Sequence, residues 1–268
     1  MIKKELRTFI KSRIQVIVFV ATILIMLLDV CLVLNLNQPL REYLGGGEFN
    51  ENSIYHPAEA AFLSGKSRGH IPQIILTYFM PLFVLLMCSD NYVSEHSRKY
   101  SQIMMTHVGK KKYIIHKYIS SFIIGAGWFA VGIAVNFLGA YILFKGGKNF
   151  SLSLNFLDEI ASDREIFIYT HPYLIYFIYF ISAVLVAGIC SVFCRSVSFL
   201  AKNYKYTYFI AFAGWMVLII SPFSITYLLQ PFTEYGLKYI LIGYAELIFL
   251  TIVVTAIACR RMMREDEL

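Results

Sequence analysis

Two carboxylates, Asp29 and Glu246, lie deep inside long apolar runs of this 268-residue chain. On insertion scales a charge at the centre of a membrane helix costs about 2.5–3.5 kcal/mol, so each must face protein or water. Two kinds of chemistry fit. Either they belong to a translocation route or a gate for cationic cargo, or they are structural partners, protonated or hydrogen-bonded to Asn136, Tyr or Ser. Asp90 sits near the end of its run and reads as a boundary residue. Cys190 and Cys194 share a helix face at i, i+4 spacing, but no further metal ligands accompany them, and two small apolar fillers are the expectation. The sequence holds no H-E-x-x-H, no G-x-S-x-G and no G-x-x-x-x-G-K-[ST], so neither an intramembrane enzyme nor an ATP-binding chain is expected.

Six apolar runs must position these residues: 14–36, 72–93, 113–144, 172–194, 206–229 and 238–259. Each can cross a hydrocarbon core of about 30 Å, which takes about 20 helical residues. Hydrophobic residues make up 58% and mean hydropathy is +0.62. No soluble domain competes, and the alternation of a barrel is absent. The expected fold is therefore all-α, a polytopic membrane protein with six spans. Of the 24 Lys and Arg residues, 17 cluster before run 1, between runs 2 and 3 (with Lys117 just inside run 3), between runs 4 and 5 and after run 6. The positive-inside rule then puts both termini in the cytoplasm and both intramembrane acids in the outer half of the bilayer. Run 1 is too long for a signal-peptide core and lacks a small-x-small site. All five cysteines lie within the runs, which argues against a secreted disulfide framework.

Several connecting pieces carry patterns of their own. Residues 2–13 place Ile2, Leu6, Phe9 and Ile10 on one stripe and Lys3, Lys4, Arg7 and Lys11 elsewhere. That is an amphipathic helix lying in the membrane interface. Loop 35–71 has turn signals around a short helix, Ala58–Leu63, and loop 145–171 alternates apolar and polar residues through Phe150, Leu152, Leu154 and Phe156. Each reads as cover for the outer mouth or as an ordinary solvated loop. Between Ser221-Pro222 and Gln230-Pro231 lies a short apolar piece, either a re-entrant segment over about 222–231 or plain helix termination by proline. Tyr169, Tyr173, Tyr176 and Tyr179 at the start of run 4 read as an interfacial belt.

The richest connection follows run 2. Asn91–Lys117 reads NYVSEHSRKYSQIMMTHVGKKKYIIHK. From Tyr92 to His107 it has neither Gly nor Pro, which predicts one short helix. Tyr100, Ile103, Met104 and Val108 form its apolar ridge, Glu95 and Lys99 pair at i, i+4, and Gly109 with three lysines stops it. Such a ridge docks in a groove of a partner or lies on the membrane as a connector.

The layout is similar to the membrane subunits of type 2 ABC exporters. An interfacial N-terminus precedes six spans, and a cytoplasmic helix after the second starts with Glu95, continues through Arg98-Lys99 and Ile103-Met104-Met105, and turns at Gly109 into Lys110–Lys112. Ser97 and Ser101 stand where the family often carries a Gly-Thr pair. The resemblance implies that Asn91–Gly109, with Glu95, Arg98, Lys99, Tyr100, Ile103, Met104 and Gly109, is a coupling helix held by a separate ABC ATPase subunit. Two such ATPase subunits would bind the ATP and Mg, and a second permease copy or paralogue would complete the complex in a bacterial cytoplasmic membrane. Arg195–Lys205 would be a smaller second contact. An amphipathic peptide is the expected cargo. Two other classes stay open: an ion-coupled secondary transporter using Asp29 and Glu246, and a non-transporting membrane immunity or scaffold protein.

Overall fold

A computed structural model describes residues 2–64, 70–97, 99–150, 163–230 and 236–264. Among them the chain is all-helical, with one isolated parallel bridge between Tyr55 and Asn149. Helix α1 (Ile2–Lys11) leads through Ser12 into α2 (Arg13–Leu36). Short helices α3 (Gln38–Leu44) and α4 (Pro57–Ala60) follow at the far end of the bundle. The second apolar run is broken. Helix α5 (Ile71–Tyr78) meets α6 (Met80–Val84) at a 63° bend. Pro81 near the start of α6 removes a backbone donor there, and proline is a usual cause of such kinks. A π-helical turn, Leu85–Ser89, then leads into α7 (Asp90–Ser97).

Helix α8 (Tyr100–Val108) comes next, and Gly109, at φ 86°, turns the chain into α9 (Lys110–Leu143). That backbone conformation favours glycine. The remainder is α10 (Asp163–Thr170), α11 (Pro172–Ala201), α12 (Tyr204–Ile220), a 3₁₀ turn at Ile225–Leu229 and α13 (Leu237–Arg264). Four helices, α2, α9, α11 and α13, are long and apolar enough to cross a membrane, and counting the bent second run as one span gives five. This is the architecture of a multi-pass membrane protein. Helix α12 has 17 residues, about 25 Å at 1.5 Å per residue, shorter than a full hydrocarbon core.

Helix α11 is the hub, packed on α9, α12 and α13 and on the bent second run. It closes tightly on α9: a methyl group at Gly125 would fall 1.6 Å from the Ser191 hydroxyl, so only a hydrogen fits. The other faces stay apolar and exposed, with Ile17, Val20, Leu24 and Leu28 on α2 and Leu241, Ile248, Phe249 and Ile252 on α13. Exposed apolar surface of this extent is what lipid covers. Helix α1 and the last turns of α13 gather at one end of the bundle, here called the basic end. There the start of α7, the start of α9 and the ends of α11 and α13 share a second small core of Tyr92, Tyr113, Phe199 and Met262.

Three sequence expectations change. The single helix over 91–109 is two helices, because Lys99 adopts a left-handed conformation at φ 58°. No residue type announces that break. Tertiary contacts accompany it: α7 enters the basic-end core through Tyr92, and α8 packs Met104 and Met105 against the same core from the other side of the break. The run 206–229 ends at Ile220, where Ser221-Pro222 stops the helix, and 225–229 is a buried 3₁₀ turn. Ile225, Leu228 and Leu229 are all within 2% exposure, so the apolar piece seats against the protein; Pro231 lies outside the described residues. The connection 195–205 is mostly not a surface, since α11 continues to Ala201 and buries Arg195 through Phe199.

Candidate functional site

At the basic end, four helices bring charged side chains into one buried knot. Lys117 of α9 is only 2% exposed. Its ammonium bonds Glu5 of α1 and, at 2.7 Å, Glu95 of α7. Ser120 donates to Glu5 at 2.9 Å, and Tyr113 donates to Glu95 at 3.3 Å. Arg195 of α11 stands close enough to act on Glu5 electrostatically. Burial pushes the Glu5 carboxyl upward, but Lys117 first and Arg195 next outweigh it, and the net position is below the ordinary range. Two acids and two bases cancel, which is how a protein tolerates charges that leave water. A cavity of about 40 Å³ lies among Glu5, Glu95, Tyr100, Met104, Lys117 and Arg195, room for about two waters.

The knot explains what α7 and α8 do locally. Glu95 ties α7 to α9 and, through Lys117, to α1. Met104 and Met105 lean on the small core, and Tyr100 and Met104 line the cavity. The expected ridge is therefore split. Tyr100, Met104 and Val108 are half-buried, whereas Ile103 is 55% exposed and Gln102, Thr106 and His107 stand beside it in the open. Lys99 is exposed and Arg98 lies outside the described residues.

The other candidates sit toward the far end and do not form one site. Asp29 and His70 are both 0% exposed, with His70 Nδ1 2.9 Å from Asp29 Oδ2. Asn136 has different partners: it accepts from the Phe62 amide at 2.7 Å and donates to the Met26 carbonyl at 2.6 Å. It thereby pins the segment Ala58–Ser64, buried at every residue, against α2 and α9. Glu246 is elsewhere again, accepting from Ser221 at 2.7 Å. The expected partnership of Asp29 with Asn136, Tyr or Ser gives way to His70. The tyrosine belt also divides: Tyr173 is 46% exposed, whereas Tyr176 and Tyr179 turn inward and Tyr176 stacks on Phe137 at 4.6 Å. Cys190 and Cys194 are buried fillers, and among the described residues no His, Cys, Asp or Glu group could hold a metal.

Glu5, Lys117, His70 and Arg195 are not singled out as site residues by the sequence. Two signals were there. Glu5 is the lone acid in a basic N-terminal stretch, and His70 is the last residue before a span beginning Ile71-Pro72.

No family model and no solved structure matches the chain. It is 34% identical over 235 residues, 87% of its own length and 86% of the other's, to the Bacillus subtilis (strain 168) protein described as "Uncharacterized protein YybM". With a common pattern running through nearly all of both chains, this protein belongs to the YybM family.

Proposed function

We propose that the chain is the membrane permease subunit of an ATP-driven exporter of the type 2 ABC kind, driven through α7 and α8 by a separate ATPase subunit. In this reading the bent second run and α12 complete six spans, the basic end faces the cytoplasm, and the membrane is the bacterial cytoplasmic one. The ATP and Mg belong to the partner, two copies of which serve two permease chains. An amphipathic peptide is the proposed cargo.

One observation carries the reading. A nine-residue helix packs Met104 and Met105 on the small core and lines the cavity of the charged knot with Tyr100 and Met104, while Ile103 on its other side is 55% exposed. A lever needs an exposed apolar anchor and a seat on the part that moves, and Ile103 with the packed face of α8 supports that reading. Helices that dock in grooves use anchors of this kind. The test is purification from native membranes in mild detergent. A protein bearing a G-x-x-x-x-G-K-[ST] loop should accompany the wild type and hydrolyse ATP. Ile103→Glu, on an exposed site, should lower its recovery at least tenfold without changing the permease yield. Active transport with no ATP-hydrolysing partner ends the proposal.

A second reading draws on the Asp29–His70 pair. Ionisable residues within spans mark proton and ion routes in carriers, and this pair has no exposure at all. An ion-coupled carrier would move cargo without nucleotide and stop on Asp29→Asn.

A further inference from the structure

The π-helical turn Leu85–Ser89 joins the bent second run to α7, and two buried side chains from distant helices are spent on it. A π turn holds one residue more than the α-helical path, disturbs the backbone ladder and is common where helices must shift. Here the Met87 carbonyl accepts from Gln15 Nε2 of α2 at 2.6 Å, and the Cys88 carbonyl accepts from Arg195 Nη2 of α11. Gln15 is 2% exposed and Arg195 1%. Neither is fully used: Arg195 Nε and Nη1 and Gln15 Oε1 have no hydrogen-bond partner. A buried guanidinium satisfied at one nitrogen is costly. Arg195 lines the same cavity as Glu5, Glu95 and Lys117.

We propose that the π turn at Leu85–Ser89 is a register switch that sets the rotation of α7 and α8, with Arg195 and Gln15 as its positioning residues. In the register seen, the two side chains hold the displaced carbonyls and Glu95 rests on Lys117. In the other, the turn relaxes to α-helix and the extra residue is taken up. The segment beyond then rotates by about 100° and moves about 1.5 Å, the α-helical step per residue. Glu95 leaves Lys117, the Cys88 carbonyl re-enters the ladder, and the idle edge of Arg195 becomes a fork for a carboxylate in the cavity. Packed elements with two discrete arrangements are how small local shifts become large ones. The inference concerns the turn itself and stands whichever partner, if any, drives α8.

Backbone hydrogen exchange on the purified full-length protein in detergent tests it. Arg195→Met should speed exchange of the amides in 85–97 at least tenfold and leave α12 and α13 unchanged. Arg195→Lys, which keeps a donor, should stay within about twofold of wild type. Deleting Met87 should give a folded protein already in the second register, in which Arg195→Met no longer alters exchange in 85–97. Unchanged exchange in Arg195→Met, or an equal rise across α9, α11 and α13, overturns the clamp. A Met87 deletion that loses protection in α13, or in which Arg195→Met acts as before, overturns the switch.

Discussion

Lys117 is the residue on which the basic end turns. It serves two acids from two helices, and removing one member of a buried ionic group leaves the others uncompensated. Lys117→Met should destabilise the protein by about 3 kcal/mol, read as a lower melting temperature in detergent. Adding Glu5→Gln should return part of that loss, because one stranded charge is gone. Glu5 itself sets a sign. Its folded position lies below the unfolded one, so its contribution is present above the unfolded carboxyl range and fades as pH falls through the folded value.

His56 behaves similarly at the far end. Burial lowers it to about 4, and its Nδ1 accepts the Ala58 amide at 3.1 Å, which requires the neutral ring. Its contribution is complete above about 6.5 and drains away as pH falls toward 4, with an upper bound of about 3 kcal/mol. Melting temperature measured from pH 7 to 4 should fall, and His56→Asn, which keeps a cap acceptor without titrating, should flatten that slope. None of this was legible beforehand. A lysine amid basic residues and a histidine beside a proline read as loop furniture until the fold supplies partners 22 and 112 residues upstream for Lys117 and the rings of Phe150 and Tyr173 for His56.

Among elements, the long spans were legible and the broken ones were not. Helices α2, α9, α11 and α13 follow from continuous apolar runs, which lipid permits only as helices. The bend in the second run, the π turn and the break at Lys99 arise from contacts between runs, which periodicity within one run does not encode. The same holds for the outer segment. Ala58–Leu63 reads as a short loop helix, yet Ala58–Ser64 is wholly buried and hung from Asn136. Asn136→Leu removes the acceptor for the Phe62 amide and the donor for the Met26 carbonyl. A cysteine placed at Ala60, silent to a water-soluble maleimide in the wild-type background, should then react at least tenfold faster. Equal reactivity in both backgrounds would show that the segment is held by apolar packing alone.

For the whole molecule, charge asymmetry was the most telling pattern. The sequence groups its basic residues into the connections that the fold gathers at one end, together with the knot, the small second core and α8. The far end is built differently, with buried neutral hydrogen bonding around Asn136 and the Asp29–His70 pair. In the proposed function the basic end is the driven end and α8 its handle. Gln102, exposed on α8, offers a direct reading when replaced by cysteine, with wild-type labelling subtracted for the native thiols. A membrane-impermeant maleimide should leave Gln102→Cys untouched in intact cells. It should label slowly in inside-out vesicles, and at least fivefold faster once peripheral ATPase is stripped from them. Labelling of intact cells, or equal rates before and after stripping, contradicts the account.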